Sequence, residues 1–312
     1  MTWDPLSVTE DDILADLRLA RVLGSAAKPK LQRFPTNVLR KDSNRRFTYR
    51  VRVGDETVFH LTVGPELSGL HAKATTFAAA VPDIACKPLF LVRKADYDLF
   101  GQEFFGEGNL KDGLAEGRID AVEWHRAVSF VKAKLDATAE PSSHAEVSDE
   151  LAEIEKAILG LDGIQEPERI FIESNAFPLI REGASKIEPR TTWTNGDFVA
   201  QNILWDRRSG YRLVDVEFAE RTHFGRLDWL RLRMVSLVPP SALIPPACVP
   251  GESRWLEMLC WIQHALRLNE VVLHGIALAH LKVIVGALAD LVAADLAISH
   301  PDAVKLGSAN CK

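Results

Sequence analysis

The sequence predicts an α+β chain of two lobes, a small N-terminal one built of sheet plus helix and a larger, mostly helical C-terminal one. Three observations predict it. Strand patterns are concentrated between about Leu39 and Phe105. Beyond that point apolar residues recur at helical spacing. Between the two regimes stands Gly106-Glu107-Gly108, which breaks the strand pattern. With 312 residues, 47% of them hydrophobic, the chain is long enough for two cores. The expected division is 1–24 as a helical extension, 25–105 as the smaller lobe and 106–312 as the larger.

Thr9-Glu10-Asp11-Asp12 opens the first helix, with Thr9 as N-cap, acids in the first turn, Ile13, Leu17 and Ala20 on one face, and Gly24 as the stop. Phe47–Val53 and Thr57–Val63 flank Gly54-Asp55-Glu56 as a hairpin. Leu67–Ala80 reads as a helix ended by Val81-Pro82-Asp83, and a second hairpin joins Leu89–Arg93 to Tyr97–Phe100. In the larger lobe, Trp124, Val128, Val131 and Leu135 mark one helix, and Val147, Leu151, Ile154 and Ile158 another. Strands are expected there only beside the loop described next. A helical block runs from about Glu252 to His300, and acids dominate from Pro141 to Ile170, read as a solvated helix face.

The most informative segment is Asn195-Gly196-Asp197-Phe198-Val199-Ala200-Gln201-Asn202, followed by Ile203-Leu204-Trp205, a turn at Asp206–Gly210, and Tyr211–Glu217. The two β-rich runs around that turn predict a hairpin, which returns the chain to its start. Asn202, before the first strand, and Asp215, after the second, are therefore expected to be neighbours. An amide oxygen beside carboxylates is a hard-oxygen set suited to Mg²⁺, which keeps waters and takes further ligands from substrate phosphates. Asp197 lies on the same loop, free to face a second substrate. That is the layout of a phosphoryl-transfer site. Each residue alone has a plainer reading, Asp197 as a turn aspartate, Asp215 as a strand-end aspartate and Asn202 as a backbone cap; the joint spacing favours the site.

Charge and cysteine usage narrow the class. A net charge of −6 lacks the basic balance of a nucleic-acid binder. Cys86, Cys248, Cys260 and Cys311 are scattered and read as reduced thiols of a cytoplasmic protein. The start, Met1-Thr2-Trp3-Asp4-Pro5, has no leader pattern, and the apolar stretch Val271–Ile298 carries charges that argue against a membrane span.

Strands, helix, hairpin, glycine break and this loop, in that order, resemble the aminoglycoside phosphotransferase and choline kinase family, which has the bilobal protein-kinase-like fold. The resemblance rests on Asn195–Asn202, on Val214-Asp215-Val216-Glu217 and on Gly225-Arg226-Leu227-Asp228-Trp229-Leu230. It implies ATP and Mg²⁺ as cofactors and assigns roles. Asp197 is the catalytic residue that orients the acceptor hydroxyl and takes its proton. Asn202 and Asp215 hold the metal, with Glu217 near it or its waters. Asn195, at the position where the family has histidine, and Asp228 give structural support. Glu103-Phe104-Phe105 resembles the hinge that meets the adenine through backbone groups.

Two departures concern the nucleotide. The strand position that carries the family's phosphate-binding lysine falls on Thr62, and its helix partner, a glutamate in the family, falls near Lys73. Lys73 is either a phosphate ligand from the helix side or a solvent-facing helix lysine. The phosphate-covering turn, Asp42-Ser43-Asn44-Arg45-Arg46-Phe47, has no glycine. Ser43, Asn44 and Arg45 are its nucleotide candidates, with Arg45 and Arg46 offering guanidinium contacts in place of close backbone approach.

The leading expectation is thus a phosphotransferase that moves the γ-phosphate of ATP to a hydroxyl of a small molecule: an amino sugar, a choline-like alcohol or a sugar. The alternative is a kinase-like pseudoenzyme serving as a nucleotide-binding or interaction scaffold, favoured by the missing lysine and glycines.

Overall fold

The computed structural model describes residues 8–24, 28–33, 46–106, 108–235, 254–271 and 274–299. In chain order its elements are α1 (Glu10–Leu19), β1 (Pro29–Arg33), β2 (Phe47–Val53), β3 (Glu56–Gly64), α2 (Ser68–Ala80), β4 (Pro88–Arg93) and β5 (Asp98–Glu103). There follow β6 (Gly108–Asn109), α3 (Leu110–Ala115), α4 (Ala121–Asp136), β7 (Glu140–Pro141), α5 (His144–Leu159), α6 (Glu166–Phe171), α7 (Phe177–Ala184) and β8 (Arg190–Thr194). The last are β9 (Ile203–Asp206), β10 (Gly210–Leu213), β11 (Glu220–Thr222), α8 (Arg226–Val235), α9 (Arg254–Val271) and α10 (His274–Ser299). Two compact units result. The described part of the first lies within Met1–Ala139 and Thr192–Arg221.

In the first unit, α1 starts where its capping residues dictate. The Asp12 N–H donates to Thr9 Oγ1 at 3.2 Å and the Thr9 N–H to the Asp12 carboxylate at 3.0 Å, a reciprocal pair that satisfies two exposed donors. The helix ends at Leu19, short of Gly24, because Arg21 takes the left-handed conformation (φ 58°) that closes it. The sheet is antiparallel in the order β1-β2-β3-β5-β4. Alternation sends Phe47, Tyr49, Val51, Phe59, Leu61 and Val63 to one face, where they bury Ile13 and Leu17 of α1. The opposite face carries Thr48, Arg50, Arg52, His60 and Thr62, all half-buried. Strand β1 is a correction to the sequence reading: it is an exposed edge strand with Leu31 as its one aliphatic residue besides Pro29, so no alternation announces it.

Two contacts flank helix α2. The buried Asp98 carboxylate accepts the Leu67 N–H at 2.8 Å, just ahead of its first turn. Past its end, Ile84 and Ala85 run beside β10, with the Cys86 N–H on the Leu213 carbonyl at 3.2 Å. A three-stranded sheet, β10-β9-β6, joins the hairpin Ile203–Leu213 to the chain just beyond β5. Gly106 (φ 86°) passes so close to the Trp205 carbonyl that a Cβ would lie 2.3 Å from it. Helix α4 buries Trp124, Val128, Val131 and Leu135.

The second unit contains α5, α6, α7, α9 and α10, with a π-helical turn at Ile172–Ala176 between α6 and α7. Val147, Leu151 and Ile158 of α5 share a core with Phe177, Ile180, Trp255 and Leu259. Gly183 lets α7 meet α9 closely, since a Cβ there would fall 2.2 Å from the Trp255 ring. Asp149 and Glu153 of the acidic run are exposed, Glu155 pairs with Arg181, and Glu150 accepts the His223 N–H at 3.0 Å. The two-residue strands β6 and β7 correct the expectation that strands beyond Gly106 only flank the 195–202 loop. Such short pairings have no period to detect and are set by the partner strand. No helix among the described residues is long and apolar enough to cross a membrane.

Candidate functional site

Strand β8 leads into Asn195-Gly196-Asp197, and the chain then makes a 3-10 turn at Ala200–Asn202 before β9. Within this loop the Asn202 side-chain N–H donates to the Asp197 carbonyl at 2.9 Å and to Asp197 Oδ2 at 3.2 Å. With its nitrogen so committed, the buried Asn202 amide has only its oxygen to offer a cation. The hairpin brings the far end back: the Val214 N–H donates to the Asn202 carbonyl at 3.0 Å. Buried Asn195 spans the same gap, its Nδ2 lying 3.3 Å from both the Val214 and the Asp215 carbonyls. Asp197, Asn202 and Asp215 are thus tied into one patch.

Two backbone features set its shape. Gly196 (φ 73°) faces the Phe218 carbonyl, and a Cβ there would sit 2.2 Å from that oxygen. Asp215 itself is left-handed (φ 55°, ψ 62°), a conformation costly for most residues and less so for aspartate. Strain of this kind gathers at functional sites. It turns the strand sharply into the 3-10 turn Val216–Phe218 and leaves Asp215 exposed.

Glu217, in that turn, is held from two directions. Lys73 of α2 donates its Nζ to the Glu217 backbone carbonyl at 2.7 Å, and Arg46, just ahead of β2, sets Nη2 3.2 Å from Glu217 Oε1. Thr62 stands half-buried on β3, opposite Thr48. Ser43, Asn44 and Arg45 lie outside the described residues, and Asp228 lies in α8 of the second unit, buried.

At the end of β5, the Glu103 N–H donates to the Lys87 carbonyl at 2.8 Å and its carboxylate accepts the Lys87 N–H at 3.3 Å. Phe105 is buried, with the Arg212 guanidinium 5.0 Å from its ring centre. Phe104 faces other groups: its ring centre is 5.3 Å from that of His60, and Arg50 lies 5.4 Å over it. Burial, reinforced by the Arg50 charge, lowers the His60 pKa to about 4, so the imidazole is neutral near pH 7. Sequence reasoning missed His60 and the contact made by Phe104. Their signal is cross-strand register, Arg50 opposite His60 and His60 opposite Gln102, which alternation alone does not supply.

The donor set suits a hard, partly hydrated cation. The hairpin brings together the residues that carry one amide oxygen and one exposed carboxylate, Asn202 and Asp215, with a second carboxylate two residues on. Among the described residues no three His, Cys, Asp or Glu side chains group as a metal cage. A small divalent ion held here would draw its remaining ligands from water and phosphate, as Mg²⁺ does.

The sequence matches no protein-family model and no curated protein. Solved structures do match. Aminoglycoside phosphotransferase APH(4)-Ia is 12% identical, with a TM-score of 0.60 over 89% of this chain and 98% of that one. The ADP-bound aminoglycoside phosphotransferase APH(2'')-Ib is 11% identical, with a TM-score of 0.56 over 91% and 99%. A choline/ethanolamine kinase family protein from Mesorhizobium loti is 11% identical, with a TM-score of 0.54 over 92% and 98%. A thermostable mutant of APH(4)-Ia, solved as a ternary complex with ADP and hygromycin B, matches at 12% identity and a TM-score of 0.57 over 86% and 97%. At these identities the likeness is one of fold, and the chain has the kinase-like α+β fold of the aminoglycoside phosphotransferases and choline kinases.

Proposed function

We propose that this protein is an ATP- and Mg²⁺-dependent phosphotransferase that moves the γ-phosphate to a hydroxyl of a small molecule. The observation that carries the reading is the closure of the hairpin, which ties Asp197, Asn202 and Asp215 into one patch through Asn202 and Asn195. Asp197 orients the acceptor hydroxyl and receives its proton at the carboxylate. The Asn202 oxygen and the Asp215 carboxylate would hold the metal, with Glu217 near it or its waters. Bound Mg²⁺ supplies neutralisation of the phosphate charge. Because the Glu103 N–H is spent on Lys87, backbone donors to the base come from the residues that follow, next to buried Phe105. Positioning and charge neutralisation are most of what phosphoryl transfer asks of a protein. An amino sugar, a choline-like alcohol or a sugar is the proposed acceptor class, in line with the aminoglycoside complex of the fold relative.

Uncharged Thr62 favours a second reading, a kinase-like scaffold that turns over little or nothing. Thermal unfolding separates the phosphotransferase reading from a scaffold that binds no nucleotide, and turnover on a hydroxyl acceptor separates it from one that does. A ligand at 100 times its Kd adds about 2.7 kcal/mol, a shift of a few degrees for a chain this size. The phosphotransferase reading expects a Mg²⁺-dependent rise with ATP in the wild type that disappears in Asp215→Ala. No rise in either protein at any ATP concentration gives the lead to the scaffold.

A further inference from the structure

We propose that Arg46 is the cation that meets the nucleotide phosphates, in place of the lysine that Thr62 displaces; the inference rests on the phosphotransferase reading above. The register pairs Phe47 with Val63 and Thr48 with Thr62. Arg46 therefore stands at the same end of the β2–β3 pair as Thr62, and by alternation on the same face. Its guanidinium crosses to the metal loop, with Nη2 3.2 Å from Glu217 Oε1 and the side chain only 18% exposed. Its Nε is buried and has no hydrogen-bond partner among the described residues.

A guanidinium presents five N–H donors in a rigid fork, and leaving a buried donor unmet is costly. Among the described residues Arg46 is thus held beside Glu217 by one ion pair, with donor capacity left over. A phosphate group, with several oxygens, fits that unmet capacity better than one carboxylate oxygen does, because it accepts from two arms of the fork at once. Lys73 is a poorer candidate. Its ammonium already holds the Glu217 carbonyl at 2.7 Å, and that bond fixes the turn carrying Glu217. Two cations converge on one residue, then, with different duties: Lys73 holds the backbone and Arg46 reads charge. On nucleotide binding Arg46 exchanges the Glu217 carboxylate for phosphate oxygens.

The test compares ATP, ADP and adenosine, each with Mg²⁺, on the wild type, Arg46→Gln and Arg46→Lys. Affinities are read by calorimetry for the nucleotides and by ligand-observed NMR for adenosine. Loss of charge-assisted bonds to phosphate predicts ATP and ADP binding weakened about 10- to 100-fold in Arg46→Gln. Adenosine affinity should be unchanged, and Arg46→Lys should recover part of the loss. Wild-type affinity for ATP in Arg46→Gln overturns the proposal and leaves the phosphotransferase reading intact. Equal weakening for ATP and adenosine also overturns it, since it marks Arg46 as a structural clamp. Failure of the wild type to bind any nucleotide overturns both.

Discussion

The loop and hairpin from Asn195 to Glu217 and the strand pair from Arg46 to Val63 place their polar groups by different means. In the loop and hairpin, Asp197, Asn202 and Asp215 lie close along the chain and are joined by short-range bonds, Asn202 to Asp197 and Val214 to Asn202. A spacing in the sequence is enough to specify that. In the strand pair, Thr62 brings no charge, and the cations beside the loop come from positions far from it in sequence. Lys73 reaches Glu217 across 144 positions of sequence, and Arg46 reaches it from the foot of β2. The lesson is that the 195–217 loop is fixed by local geometry, whereas a charge beside it needs only a place in space, so different strands or helices can supply it.

The largest effect that tests this contrast should come from the loop. Asp197→Asn should lower phosphoryl transfer by about 10²- to 10⁴-fold, the usual contribution of a positioned base, with Mg²⁺-ATP affinity little changed. Turnover on the first acceptor that supports ATP consumption, together with a nucleotide titration, measures both. An Asp197→Asn protein as active as the wild type would remove Asp197 from the chemistry.

A smaller but still large effect is expected at the loop's backbone. Gly196→Ala places a Cβ 2.2 Å from the Phe218 carbonyl at a positive φ. It should cost about 2–4 kcal/mol, more than a conformational penalty alone, because either Gly196 or the Val216–Phe218 turn must move. Denaturant unfolding reads the loss, and a midpoint equal to that of the wild type would show the turn to be more yielding than its packing implies.

The effect that vanishes near pH 7, and grows only on acidification, belongs to the strand pair. His60 is neutral when folded, with a pKa lowered to about 4, against an ordinary value of 6.5 unfolded. Above pH 6.5 both states are neutral and His60 adds no pH dependence. As pH falls from 6.5 toward 4 the unfolded chain gains the proton first, so stability drops by up to about 1.4 kcal/mol per pH unit. His60→Gln should flatten that part of the stability–pH curve, and the imidazole proton shifts of the wild type should titrate near pH 4. Titration near 6.5 would place His60 in contact with solvent.

Legibility followed the range of the interactions. The Thr9 cap, the alternation of β2 and β3, the helical faces of α4 and α5 and the hairpin around Asp206–Gly210 all depend on neighbours a few residues apart, and all can be read in the chain. Strand β1 escaped because an edge strand with few apolar residues has no pattern to show. Two-residue β6 and β7 escaped because their partners define them. The left-handed turn at Asp215 had no glycine to flag it, and Arg21 closed α1 before Gly24 for the same reason.

By itself, then, the sequence determined the α+β class, the hairpin and the neighbourhood of Asn202 and Asp215. A period of two or 3.6 and a tight turn are properties of short segments, whose geometry is set by backbone sterics. Only the tertiary structure decided that Lys73 holds a backbone carbonyl, that Arg46 pairs with Glu217 and that His60 lies against Phe104. Those contacts depend on strand register and on the seating of α2. Both are settled by burial of the shared core, which no local spacing encodes.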